Sequence, residues 1–497
     1  MLDLATIVKI SSILKQLTFI KKLEEVMYTK ILLILIFSVV QHSLAIAPNT
    51  FFATVTGLNN PIDIATAPNG LYAYVTDGGS NSVRVIDTNP LSPTFNSLVA
   101  APALEGILSN PGDIALTPNS QFAYVCNTGA NSVVVINTNP QSSSFNTPVA
   151  APGLTGVFDE PTSIAITPNG LYAYVVNVGN NNVNLIDIDP TSVNYNTVLS
   201  TPALNGVLIN PFAIIITPDG NYAYVSNLNG TISVVDTNPA SPTYNTLLAA
   251  PGLISVNAQP EGLAITANGL VTYVTNGAST AVTVLDSDPA SPTFNTVVSA
   301  PNLLAAFNYP NGVVTTADGK YAYVSNYIGA SGSISSVSVI DTDPSSATYN
   351  STLSTPGLQL SFLTRFVALA ITPDDRYVYV IDAYNNTANV IYTGIIEAPL
   401  NFTGCRLENI FLTQADLINR LTWSAPVIGN PPVAYNLYTN SGLTHLVAQI
   451  PASGTLQYLD HNQLPGINDT YYIVAVDAFG NSSEPAVVTV TQECAGN

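Results

Sequence analysis

The chain has 497 residues, of which 47% are hydrophobic and only 8% charged, and its formal charge is −20. That length leaves room for two or more domains. So negative a surface repels nucleic acid phosphates and anionic lipid headgroups, which excludes both as partners.

The first predicted element is a targeting signal. Lys30 precedes an uninterrupted apolar run, Ile31 to Val40, followed by Ser43-Leu44-Ala45 and Ala45-Ile46-Ala47. A basic flank, an apolar stretch of about ten residues and small residues at a cleavage position read as a secretory signal peptide within residues 1–47. The run is too short to span about 30 Å of hydrocarbon. Met27 stands where such a signal would begin, which leaves open whether residues 1–26 are translated. No later segment is apolar for long enough to cross a membrane, so the mature chain is expected to have no transmembrane segment. It is expected to be secreted, held at the cell surface, or periplasmic.

From residue 50 onwards one unit recurs. Pro211 to Pro239 shows it: Ala213 to Thr217, then the turn Pro218-Asp219-Gly220, then Tyr222 to Asn227, then Thr231 to Asp236. Short runs rich in β-branched and aromatic residues, separated by tight-turn sequences, read as strands of an antiparallel meander. The second run appears at Tyr72, Phe122, Tyr172, Tyr222, Val271, Tyr321 and Tyr377, in steps of 50, 50, 50, 49, 50 and 56 residues. In the first six copies a proline opens the first strand: Pro61, Pro111, Pro161, Pro211, Pro260 and Pro310. The seventh has Phe366 there. Each third strand of the first six copies ends on Asp or Asn, and a segment such as Ser241-Pro242-Thr243-Tyr244-Asn245-Thr246 leads towards a fourth strand. Seven units of four short strands predict an all-β fold, a seven-bladed β-propeller over residues 48–397. Both faces of each blade are then buried, which accounts for the high apolar content without a membrane segment.

Tyr-Val-Thr-Asn itself stands at 273–276, with Ile-Ala-x-Thr-Pro-Asn-Gly before such runs and Val-x-Val-Ile-Asp-Thr after them. On these motifs residues 50–395 resemble the YVTN-repeat β-propellers of surface-layer and secreted proteins. The resemblance implies the fold; propellers host many unrelated activities. The Ser-Pro-Thr-rich link before the fourth strand departs from the usual unit. The seventh copy has three evident strands, and Thr50 to Gly57 is expected to supply its fourth, so that the ring closes without exposed edges.

From about Ala398 the period stops. Pro399 to Thr403, Arg420 to Ser424, Val433 to Tyr438, Leu446 to Ile450, Tyr471 to Asp477 and Val487 to Val490 predict a β-sandwich over residues 398–497. Trp423, and Leu464-Pro465-Gly466 ahead of Tyr471-Tyr472, resemble a fibronectin type III module, with Trp423 as its core tryptophan and one tyrosine as its corner. Cys405 and Cys494 bracket this region, and an oxidising compartment would allow them to pair. Cys126 falls in a core-facing strand position, as a small hydrophobe.

The inventory for catalysis is thin. The chain has three histidines, His42, His445 and His461, none of them in the propeller, and the propeller holds a single lysine, Lys320. A histidine general base, a Ser-His-Asp triad and histidine metal sites are therefore missing there. Asp187-Ile188-Asp189, Asp286-Ser287-Asp288 and Asp341-Thr342-Asp343 have carboxylates that suit Ca²⁺. Their recurrence as Asn137 and Asn139 points instead to strand-ending turns, so Ca²⁺ is not favoured and no cofactor or metal is expected. The residue ahead of each innermost strand should ring one mouth of the central channel: Asn60, Asn110, Glu160, Asn210, Gln259, Tyr309 and Arg365. The sixth unit's longer link, Tyr327 to Ser335, emerges on the same face. These features predict a non-enzymatic binding or adhesion protein that recognises an extracellular protein or glycan. The alternatives are a lactonase-like hydrolase using Glu160, Arg365 or a bound Ca²⁺ at the mouth, and a structural component of a surface layer.

Overall fold

The computed structural model describes residues 49–394 and 400–494, apart from 202–203, 205–207, 249–252, 257–258, 328–335, 356–357, 359–365, 395–399, 412–413, 427–431, 454, 462, 464–467, 478–480 and 492–493. The signal-peptide region, most of the sixth unit's long link, Arg365 and Leu464-Pro465-Gly466 lie outside the described residues. The chain divides into two compact units, one of Ala47–Ile396 and one containing Glu397–Asn497.

The repeats fold as seven four-stranded antiparallel sheets. In the first blade the strands are Pro61–Thr66, Tyr72–Asp77, Ser82–Asp87 and Leu98–Val99. The first hairpin is dictated by its turn residues. In the third blade Thr167 N–H donates to the Tyr172 carbonyl (2.9 Å), Gly170 N–H to the Thr167 carbonyl (2.8 Å), and Thr167 Oγ1 accepts from Tyr172 N–H (3.0 Å). Gly170 adopts φ +70°, a region that L-residues resist.

Alternation along the second strand builds both interfaces of a blade. Tyr124 and Cys126 pack with Ala173, Val175 and Ile186 of the third blade. Ala123 and Val125, pointing the other way, pack with Tyr74, Val83 and Val85 of the first. Large residues on one face meet small ones on the next blade, as Tyr124 meets Ala173 and Tyr74 meets Ala123, so the layers interdigitate. Each fully buried Val, Ile or Leu contributes about 1.5–3 kcal/mol relative to exposure.

The innermost strands begin at Pro61, Pro111, Pro161, Pro211, Pro260, Pro310 and Phe366, and each packs against the next, with the last against the first. The ring is closed. Its closing strand is Thr50–Val55, paired antiparallel with Thr387–Tyr392 as the outer strand of the seventh blade, as the sequence predicts.

A second closure runs through the Ser-Pro-Thr links. The strand-ending Asp87 accepts from Asn89 N–H (3.0 Å), from Thr94 Oγ1 (2.6 Å) and from the Ser92 hydroxyl, folding the link back on itself. This presents Asn96 in the left-handed region, φ +58°. There its Oδ1 accepts the hydroxyl of Tyr379 from the neighbouring blade (2.5 Å). The same clasp joins Tyr74 to Asn146, Tyr124 to Asn196, Tyr174 to Asn245, Tyr224 to Asn295, Tyr273 to Asn350 and Tyr323 to Asn49, at 2.6–3.0 Å. Every blade boundary thus has one buried tyrosine hydroxyl satisfied across it, where an unpaired one would be costly.

The C-terminal unit has two sheets. One orders Leu400–Phe411, Gln414–Ser424 and Gln457–Asp460; the other orders Leu446–Pro451, Ala434–Tyr438, Asp469–Val476 and Ala486–Val490. The first strand runs on to Phe411 as part of a long hairpin, where the sequence suggested an end near Thr403. Gln457–Asp460 is additional: four residues with alternate ones exposed carry too weak an apolar signal to be read in advance. Trp423 is buried edge-on to Tyr435 and Phe402 (ring centroids 5.5 and 6.4 Å). Tyr471 donates its hydroxyl to Asp460 Oδ2 (2.6 Å) and accepts from Asn419 Nδ2 (3.0 Å). Cys405 and Cys494 are joined as a disulfide, and Cys126 is free and buried.

Candidate functional site

The mouth of the channel is built by one local conformation used repeatedly. Asn60, Asn110, Glu160, Asn210, Gln259 and Tyr309 all adopt left-handed backbone, with φ between 48° and 53°, and all six are exposed. Most of their main-chain groups are hydrogen-bonded. The N–H groups of Asn60, Asn110, Glu160 and Asn210 donate to Oδ1 of Asn386, Asn81, Asn131 and Asn181 on the preceding blade (2.6–2.9 Å). The carbonyls of Asn60, Glu160, Asn210, Gln259 and Tyr309 accept from Gly78, Val178, Leu228, Gly277 and Tyr327. Their side chains do the opposite: among the described residues none of the six makes a hydrogen bond. The Asn-Pro step is therefore structural through its backbone, and the side chain is left for solvent or a ligand.

Below the mouth lies a belt that sequence reasoning missed. The third residues of the first three innermost strands are Asp63, Asp113 and Ser163. Asp63 Oδ2 accepts from Ile114 N–H, and Asp113 Oδ2 from Ile164 N–H (both 3.1 Å). Ser163 Oγ donates to Asp113 Oδ2 (2.7 Å) and accepts from Ile214 N–H (3.2 Å). Each residue thus reaches the next blade. Burial first, then the neighbouring Asp113 charge, push the Asp63 carboxyl well above the usual carboxylate range. The readable signal was an Asp inside an otherwise apolar strand, Pro-Ile-Asp-Ile-Ala and Pro-Gly-Asp-Ile-Ala.

The belt is not continued in the next three blades, where the third residues are Ala213, Gly262 and Gly312. A Cβ at Gly262 would fall 2.4 Å from the Asn311 carbonyl oxygen, and one at Gly312 would fall 2.8 Å from Leu369. The strand bulge at these positions frees an N–H, which the hydroxyls of Thr76, Ser226, Thr275 and Ser325 accept from Asp63, Ala213, Gly262 and Gly312 (2.8–3.1 Å). Cys126 occupies that slot in the second blade, where burial raises its thiol pKa and keeps it unreactive.

Chemically, the belt offers a proton donor without a free nucleophile, because the Ser163 hydroxyl is committed on both sides. The paired aspartates of the strand-ending turns are also occupied. Asp187 accepts from Asp189 N–H (3.1 Å) and Ser192 Oγ (2.6 Å), and Asp189 accepts from Thr191 N–H and Oγ1 (2.8 and 2.7 Å). Among the described residues no group of three or more His, Cys, Asp or Glu is arranged to hold a metal, and no helix is long and apolar enough to cross a membrane.

A family model described as lactonase, 7-bladed beta-propeller matches residues 33–208 and again 161–293, together more than half of the chain. No curated protein matches it. Among solved structures, the hydrazine synthase of Kuenenia stuttgartiensis is similar in fold over 69% of this chain and 98% of that one, at 19% identity and a TM-score of 0.53.

Proposed function

The chain belongs to the seven-bladed β-propeller lactonase family, and from that premise we propose that it is a secreted or cell-surface binding and adhesion protein, not a hydrolase. It recognises an extracellular protein or glycan through the face that carries the channel mouth. The observation that carries this reading is the side chains of Asn60, Asn110, Glu160, Asn210, Gln259 and Tyr309, unpaired among the described residues and displayed on turns whose main chain is largely hydrogen-bonded. The signal-like segment Ile31 to Val40 supports export. The repeat motif supports membership among the YVTN-type propellers. The order of the C-terminal strands and the Trp423 and Tyr471 contacts support a fibronectin type III module serving as a spacer or adhesion unit.

Family membership favours a second reading, lactone hydrolysis at the mouth by Glu160, Arg365 or a bound Ca²⁺. The propeller contributes no histidine, and its channel serine is held by Asp113 and Ile214, which weighs against it. A panel of lactones assayed with and without Ca²⁺, alongside binding of the purified chain to proteins and glycans from its own surroundings, decides between the two. Saturable binding without turnover is expected. Turnover abolished by Glu160→Gln or Arg365→Ala would overturn the binding reading.

A further inference from the structure

We infer that the mouth takes a neutral glycan; this rests on the binding reading above and narrows it to one ligand class. Left-handed asparagines recur in this propeller in several settings, and those of the clasp, such as Asn96 and Asn146, accept a tyrosine hydroxyl. Asn81, Asn131, Asn181 and Asn386 spend their side-chain oxygen on the next blade. Asn60, Asn110 and Asn210, in the same backbone conformation, leave the whole amide unpaired among the described residues. Gly would suit those turns as well and would carry no amide. Gln259 and Tyr309 hold φ 53° and 50°, a conformation that their side chains resist. Local backbone stability therefore does not account for the residues present.

The chemistry of the ring selects the ligand. Each planar amide offers a donor and an acceptor side by side, the complement of a hydroxyl that does both. Phe212 and Tyr309, 37% and 39% exposed, belong to the fourth and sixth blades and supply aromatic surface of the kind that packs on the C–H face of a sugar ring. An apolar peptide would call for a contiguous apolar patch, and these aromatics are spaced apart. An acidic ligand would call for basic groups; the described residues of the ring include none, Glu160 among them is acidic, and the chain as a whole carries −20. What remains is a neutral, polyhydroxylated molecule spanning several blades.

The test uses the full chain against an array of neutral oligosaccharides (glucans, mannans, galactans, N-acetylglucosamine oligomers) with uronic-acid polymers as the acidic set, then calorimetry on the best neutral hit. Binding to a neutral member is expected. It should weaken at least tenfold in the Asn60→Ala/Asn110→Ala/Asn210→Ala triple variant, and severalfold in Gln259→Gly, which should melt no lower than the parent because the turn is relieved. Val193→Ser, fully exposed on an outer link, should bind as the parent. No neutral binding at millimolar sugar, equal binding by all variants, or preference for the acidic set overturns the glycan inference. A photo-crosslinking amino acid in place of Gln259 separates the two levels. Capture of a protein there, with no glycan bound, sinks the glycan and keeps the binding reading; neither capture nor glycan binding sinks both.

Discussion

The hydroxyl of Tyr323 donates to Oδ1 of Asn49 across 2.7 Å, although 274 residues separate them. At the other blade boundaries the accepting asparagine comes from a Ser-Pro-Thr-type link; here it comes from the residue just before the closing strand. The N-terminal segment therefore supplies both the outer strand of the last blade and its polar clasp, and the two closures act at one seam.

Loss of that clasp should be felt by the whole ring. Asn49→Ala strands the buried Tyr323 hydroxyl and should lower stability by about 1–3 kcal/mol. Asn49→Gly, which keeps the left-handed turn, isolates the hydrogen-bond part. Removing residues 49–55 exposes the edge of Thr387–Tyr392 and should produce aggregation as well as a lower melting temperature. Urea unfolding and light scattering distinguish the two effects.

The Asp63–Asp113 pair makes the propeller sensitive to pH. The folded state holds the Asp63 proton more tightly than the unfolded chain, whose aspartates titrate near 3.9. Stability from this group is thus complete below about pH 4 and is lost as pH rises through its folded pKa. Asp63→Asn accepts from Ile114 and donates to Asp113 at every pH. It should melt higher than the parent at pH 8, by an amount of order 1 kcal/mol in stability, with the difference shrinking towards pH 4. A melting series from pH 4 to 8 checks the sign; a constant offset would count against a raised Asp63 pKa.

Gly262 shows how closely the innermost strands approach. Gly262→Ala places a methyl 2.4 Å from a backbone oxygen that has nowhere to go. It should cost about 1–3 kcal/mol, measured by chemical unfolding.

The disulfide between Cys405 and Cys494 closes a segment of 89 residues. Cys405→Ser with Cys494→Ser should destabilise the C-terminal unit by about 2–4 kcal/mol. Calorimetry with and without reductant should move that unit's transition and leave the propeller's in place.

Much of this was legible in residue order. The step of about fifty residues, the Pro that opens the first six innermost strands and the Asn or Asp that ends each second strand correspond to real elements, as does the assignment of Thr50 to Gly57 to the last blade. The turns before the prolines were also legible, although their left-handed backbone was not. The Tyr–Asn clasp was missed even though both partners recur visibly, because most pairs lie 71–77 residues apart in neighbouring repeats. Asp63 and Asp113 were passed over because each looks like an isolated acid, and only the ring sets one against the other.

The amino-acid order by itself determined how many blades there are and which strands they contain, because short β-branched and aromatic runs and turn chemistry act over a few residues. What only the tertiary structure decided is which polar groups meet across blade boundaries. Those contacts depend on the curvature and closure of the ring, which bring matching positions of successive repeats together and leave one set of amides at the mouth with no partner among the described residues.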